Sequence, residues 1–351
     1  MKDETGVRFP EVTRRQFAQR GATGLLVFTA GIQTAYSDSG KPIRVGFILP
    51  DYNQLRWKNA DKVGFETEAK TLGMIFHSEA SQDSAAIQTS QVENLLTQGI
   101  DVLVLTPVNV TAAAAMVRKA NAANVPVISY NDMCSNSDVA GFVARDGVLM
   151  AEAMAAGAIK DRPAGNYILV FGDEGTTIAH DEVKGFMNIL QPQIDSGAIK
   201  IVSKQYNKGF STDLARAQVE NALTKVGNDV AAVICGNDGM AYGAIQALQA
   251  QGLAGKVFVC GADAEPRAQQ LVKQGLLTLT SFTVFLQQGV EAARAAQTLG
   301  QGKKIETGAT RNNGLKDVPW VKVAFFNVTK DNLIQCTKDY PWWFDKDKLN
   351  L

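Results

Sequence analysis

Short apolar runs, each bounded by Gly, Pro, Asn or Asp, alternate along this chain with amphipathic stretches at intervals of about 25 residues. The alternation predicts parallel sheets built from βαβ units. Strands are expected over 43–49, 74–77, 101–106, 125–130 and 139–144, with helices over 56–72 and 85–98 and an alanine-rich helix ending near Ala123. The run Asp101-Val-Leu-Val-Leu-Thr106 is apolar throughout its interior, as a strand covered on both faces must be. A helix over 147–160 then leads through Arg162-Pro163-Ala164-Gly165 into a second series, with strands over 166–171, 199–205, 231–235, 256–260 and 277–282. The restart predicts an α/β protein of two doubly wound parallel-sheet lobes. A helix over 286–299 is expected to pack back on the first lobe, and 312–328 to pass between the lobes again. The expected division is 38–145 plus about 286–315 for the N-terminal lobe, and 146–285 plus about 316–351 for the C-terminal lobe and tail.

Open α/β sheets bind ligands outside the C-terminal ends of their strands, and two strand ends here repeat one device. Ala-Ala-Val-Ile-Cys-Gly-Asn-Asp (231–238) and Val-Phe-Val-Cys-Gly-Ala-Asp (257–263) both finish an apolar run at Gly and then present short polar side chains. Asn237, Asp238 and Asp263 are therefore expected to form one polar cluster. The same edge offers Asp51, Arg56, Trp57, Asn109, Asn131 and Asp132 from the first lobe, and Asp173, Asp181 and Phe210 from the second. Carboxylates, amides and guanidinium suit vicinal hydroxyls because each engages in two hydrogen bonds at once. An aromatic ring suits the apolar face of a sugar. Each residue also has a plainer use. Asp132 and the other Asp and Asn residues can cap helices or turns, Arg56 can lie on a surface turn, Trp57 can belong to the core, and His180 suits a satisfied polar position near a helix start.

Composition narrows the classes. With 351 residues, 46% hydrophobic, the chain is long enough for two cores. Formal net charge is zero and no basic tract follows the N-terminus, which disfavours a nucleic-acid partner. Residues 1–37 read as an export signal: Thr13-Arg14-Arg15-Gln16-Phe17 carries a twin arginine, an apolar run spans 22–32, and Ala35-Tyr36-Ser37 offers small residues for cleavage. Four cysteines follow, of which Cys235 and Cys260 sit in apolar runs and are expected as buried free thiols, with Cys134 and Cys336 open to either state. No Gly-x-Gly-x-x-Gly follows the first strand, no glycine-lysine phosphate loop or Gly-x-Ser-x-Gly elbow occurs, and no Cys/His spacing suits a metal. No cofactor and no catalytic residue are therefore expected.

The strings Gly-Ile-Asp-Val-Leu-Val-Leu-Thr-Pro-Val-Asn (99–109) and Gly-Asn-Asp-Gly-Met-Ala-Tyr-Gly-Ala-Ile-Gln-Ala-Leu (236–248) resemble the periplasmic sugar-binding proteins of ABC importers. Leu55-Arg56-Trp57-Lys58 and Asn312-Asn313-Gly314-Leu315-Lys316-Asp317-Val318-Pro319 resemble their xylose-type members in particular. The resemblance implies a type I periplasmic binding protein, two lobes joined by a hinge. It also implies a monomer that captures a monosaccharide or polyol in the interlobe cleft and delivers it to a membrane permease. Arg56 would hold hydroxyls, Asn237 and Asp263 would bind from the second lobe, and Phe210 would stand where a tryptophan stacks on the ring. Two departures concern the ligand: Asn131-Asp132 replaces an Asp-Arg pair after the fourth strand, and Thr283 replaces a lysine beyond the last strand of the second lobe. The expected ligand is accordingly a pentose-like aldose or related polyol. The expected site is Arg56, Trp57, Asn131, Asp132, Asp181, Phe210, Asn237, Asp263 and Thr283. Two other uses of such a cleft are a sensor that docks a chemoreceptor or kinase ectodomain, and an exported enzyme with Asp132 and Asp263 flanking a glycosidic bond.

Overall fold

Wholly apolar runs become the central strands of two sheets, and the helices between them cover both faces. The computed structural model describes residues 41–350, so the export-like segment 1–37 lies outside the described residues. The first sheet contains β1 (Arg44–Leu49), β2 (Ile75–Ala80), β3 (Val102–Leu105), β4 (Val127–Tyr130) and β5 (Gly141–Arg145), in the spatial order β2-β1-β3-β4-β5 and all parallel. The second contains β6 (Gly165–Phe171), β7 (Ile199–Tyr206), β8 (Ala232–Cys235), β9 (Phe258–Ala262) and β10 (Leu279–Thr283), in the order β7-β6-β8-β9-β10. The two lobes thus share one topology. In each, the order reverses beside the first strand, at β1/β3 and at β6/β8, and a crevice opens there at the carboxyl ends.

Three passages join the lobes. Helix Gly147–Asp161 carries the chain to β6, helix Phe285–Gly300 brings it back, and the last passage runs through Ala324. Ala292, Ala293, Ala295 and Ala296 seat the helix Phe285–Gly300 in the core beneath β1 and β3, as its apolar face predicts. Gly64 and Gly289 allow that helix to lie directly on helix Lys62–Thr71. A Cβ at Gly64 would strike the Leu286 carbonyl, and one at Gly289 the Asp61 carbonyl.

The last passage corrects the expected division at 316. After β11 (Thr310–Asn312), β12 (Asp317–Val323) runs parallel to β5 in the first sheet, and only β13 (Phe325–Thr329) joins the second, antiparallel to β10. Packing explains the difference. Val318 and Trp320 are buried in the first lobe, the Trp320 ring lies 5.8 Å from that of Phe142, and its Nε1–H donates to the Ala144 carbonyl (3.0 Å). Beyond β13 the tail closes the second lobe with Trp343 and Phe344 packed around Phe282. All four cysteines are buried and free. Among the described residues no helix is long and apolar enough to cross a membrane.

Candidate ligand-binding site

The β1–β3 crevice of the first lobe faces the β6–β8 crevice of the second across a cavity with room for the centres of several water molecules, about 90 Å³. Its first wall is set by a π-helical turn, Trp57–Asp61, in which Lys62 N–H bonds to the Trp57 carbonyl. The wider turn brings Arg56 and Asp61, five residues apart, onto one side. Arg56 Nε and Nη2 donate to the two Asp61 carboxylate oxygens at 3.0 and 2.8 Å, and Tyr130 O–H donates to Asp61 Oδ1 at 2.6 Å. The guanidinium carbon lies 3.9 Å from the Trp57 ring centre and 3.7 Å from that of Phe285. Burial opposes the Arg56 charge, but the Asp61 carboxylate more than offsets it and raises its pKa above the ordinary value. One edge of a fixed, charged fork remains for the cavity, with Nη1 3.9 Å from Asp263 Oδ1. Trp57 Nε1 is buried with no hydrogen-bond partner.

The loop after β4 works differently. Asn131 takes a left-handed backbone (φ 61°), which Asn tolerates. Its Oδ1 accepts from Arg145 Nη1 (2.8 Å), and its Nδ2 donates to Asp132 Oδ2 (2.9 Å). Asp132 Oδ1 accepts from Ile178 N–H (2.9 Å) and Thr177 Oγ1–H (3.1 Å) at the start of helix Thr177–Asp195, across the cleft. Asp132 therefore lines the cavity and also caps a helix of the opposite lobe. Met133 N–H donates to Thr177 Oγ1 (2.9 Å) beside it, and Val110 N–H to the Gly175 carbonyl (3.1 Å).

From the second lobe, Asn237 caps helix Asp238–Ala250 through Oδ1, which accepts from Met240 N–H (2.9 Å). Asp263 follows β9 with φ 104°, its N–H bonded to the Ser281 carbonyl (2.7 Å). Trp343 Nε1–H donates to the Asp263 and Ala264 carbonyls (3.2 and 2.7 Å) and so holds this turn from behind. Burial pushes the Asp263 carboxyl up, while Arg56 and Arg145 pull it back. Phe210 lines the cavity and lies over Gly172, where a Cβ would strike its ring.

Seven expected residues line this cavity: Arg56, Trp57, Asn131, Asp132, Phe210, Asn237 and Asp263. Asp181 and Thr283 are absent from its lining. Asp181 faces another way and receives Arg311 Nη1 and Nη2, both at 2.7 Å, in a bidentate pair. Thr283 ends β10 opposite Phe325, buried in the sheet, where its side chain is too short to replace a lysine. Asp238 is also not a cavity residue. It accepts from Thr280 Oγ1 (2.7 Å) and Glu265 N–H (2.8 Å) and braces the Asp263 turn. Three charged lining groups were not expected from the sequence: Arg145 at the end of β5, Glu182 on helix Thr177–Asp195, and Asp83 after β2. Arg145 follows an apolar run in the manner of Asn131 and could have been found by that rule. Glu182 was hidden by helix phase, since it turns towards the cavity while the neighbouring Asp181 turns towards Arg311.

The sequence of residues 45–304 matches the family model described as periplasmic binding protein domain, and the chain belongs to that family. It is 33% identical over 309 residues to the D-xylose-binding periplasmic protein of Escherichia coli, covering 88% of this chain and 93% of that one. It is 28% identical over 320 residues to the xylitol-binding protein of Mycolicibacterium smegmatis, covering 90% and 85%. A solved carbohydrate transporter solute-binding protein from Chloroflexus aurantiacus, in complex with D-glucose, superposes with a TM-score of 0.80 at 27% identity, covering 88% of this chain and 98% of that one. The family and these relatives are binding proteins, not enzymes.

Proposed function

We propose that this protein is the exported, periplasmic binding component of an ABC importer, acting as a monomer that captures one pentose-like aldose or related polyol and hands it to a membrane permease. The observation that carries this reading is the convergence of Arg56, Arg145, Asn237 and Asp263 on one buried interlobe cavity walled by Trp57 and Phe210. The charged fork and the carboxylate meet vicinal hydroxyls with paired hydrogen bonds, and the rings meet the apolar face of the sugar. A lysine-free pocket with Thr283 withdrawn into the sheet favours a ligand whose hydroxyl pattern leaves Asp263 and Asn237 satisfied, because an unpaired buried group is rejected strongly. Xylose-like aldoses and xylitol-like polyols are both suited to it.

The test is a thermal-shift screen against pentoses, hexoses, deoxy sugars and polyols, followed by calorimetry on those that respond. A ligand that binds only the folded state raises the melting temperature by mass action. The expected result is a clear shift with D-xylose, xylitol or a close relative, and a dissociation constant near micromolar, about 8 kcal/mol. No response to any monosaccharide or polyol would overturn the reading.

A further inference from the structure

The cavity holds a carboxyl that the family resemblance did not point to and that no side chain satisfies. Glu182 is 1% exposed on the inward face of helix Thr177–Asp195, and its Oε2 is buried without a hydrogen-bond partner. Gly236, at the end of β8, leaves the space it fills, because a Cβ there would strike Oε2. A buried polar atom left open on a cavity wall is suited to a group that arrives with the ligand.

Its surroundings decide which group. Arg145, from the end of β5, favours the ionised form, as does the Gly172 N–H after β6. Asp132 after β4 and Asp263 after β9 oppose it, and Tyr206, Cys235 and Cys260 stand nearby without supplying positive charge. Burial is the largest influence, and together with the two aspartates it pushes the carboxyl up to about 8. A bound ligand expels water and strengthens both effects.

We propose that Glu182 enters the binding site as a neutral carboxylic acid whose O–H donates to a ligand oxygen, so that capture of the ligand depends on a proton held by the protein. The inference rests on the reading of the cleft as a sugar or polyol site. It adds a donor to a wall otherwise rich in acceptors, and it makes the position a determinant of which oxygen is recognised. Ionisation converts that donor into an acceptor beside two carboxylates, and the ligand is released.

The experiment measures binding of D-xylose, D-glucose and xylitol to the full chain by calorimetry from pH 6.5 to 9.5, with wild type and Glu182→Gln. Asp83, pushed up by burial to about 6, titrates at the lower edge of this window, apart from the change looked for above about 8, and the Cys260 thiol is pushed above the window. For each probe that binds, the wild-type dissociation constant should rise roughly tenfold per pH unit above about 8. Binding at pH 8.5 should take up a proton, seen as heats that vary with the ionisation enthalpy of the buffer. Glu182→Gln keeps a donor and should lose both the pH dependence and the proton uptake. A wild-type constant that stays flat, or a Gln variant that declines in parallel, overturns the proposal. A ligand-free arm separates it from the reading of the cleft. A raised folded pKa means the native state binds more protons, so wild-type stability should fall from about pH 5 towards 8 relative to Glu182→Gln, by several degrees in melting temperature. If no probe binds at any pH, the sugar reading fails. Equal pH slopes in melting would then overturn the neutral Glu182 as well.

Discussion

Asp263 and Ala264 both hold positive φ without being glycine, at 104° and 49°, a conformation that costs on the order of 1–3 kcal/mol each and persists only when neighbours over-determine it. Those neighbours are identifiable: Trp343 Nε1 on the two carbonyls, Gln269 Nε2 on the Ala264 carbonyl (2.8 Å), and Thr280 Oγ1, which accepts from Ala264 N–H (3.0 Å). Replacing Trp343 with Phe keeps the ring and removes the donor. It should lower stability by about 1–3 kcal/mol in a denaturant titration, and weaken binding more than an equally destabilising change elsewhere. Asp263→Ala should weaken ligand binding by about 2–5 kcal/mol in calorimetry, since a charged acceptor is lost from a dry cleft and Arg56 is left facing it. An unchanged affinity would remove Asp263 from the site. At this scale much was legible. A polar residue at the end of a buried apolar run points to the strand edge, and Asn131, Asn237 and Asp263 follow that rule, whereas Arg56 comes seven residues after β1. The left-handed turn at Asp263 had no such mark, because its cause is an indole eighty residues further along the chain.

Among the elements, the strands and helices of both βαβ series were readable from periodicity, because strands covered on both faces are apolar throughout and the covering helices are amphipathic. The π turn at Trp57–Asp61 was not, since nothing in Trp-Lys-Asn-Ala-Asp marks the extra residue per turn. Its register depends on the helix behind it, where Gly289 receives the Asp61 carbonyl. Gly289→Ala should therefore push the π turn outward. The expected outcome is a loss of about 1–3 kcal/mol of stability by chemical denaturation, together with weaker binding through a displaced Arg56. Helix Thr177–Asp195 starts where it does because Thr176 caps it and Asp132 meets its first turn from the other lobe. Such a cross-lobe cap has no signature in local sequence.

At the scale of the molecule, the cleft is held shut by contacts that do not involve a ligand: Asp132 on Ile178, Met133 on Thr177, and the Asp181–Arg311 pair between helix Thr177–Asp195 and the first-sheet edge strand β11. Asp181, expected in the pocket, is better placed to set the balance between open and closed forms. Arg311→Ala should favour the open form, raising the radius of gyration in X-ray scattering without ligand and weakening binding by about two- to tenfold. A radius and affinity equal to wild type would assign the pair no part in closure. The two-lobe plan was legible because the strand rhythm restarts. The late return of β12 to the first sheet was not, since a strand between two sheets looks alike whichever one it joins. The third passage through Ala324 also governs the order in which the molecule can be made. Synthesis from the N-terminus leaves the first sheet without β12 until Val323, the second without β13 until Thr329, and the Asp263 turn without its indole until Trp343. A growing chain therefore carries two unfinished halves until the stretch from β12 to Trp343 has emerged, and binding competence waits on that stretch.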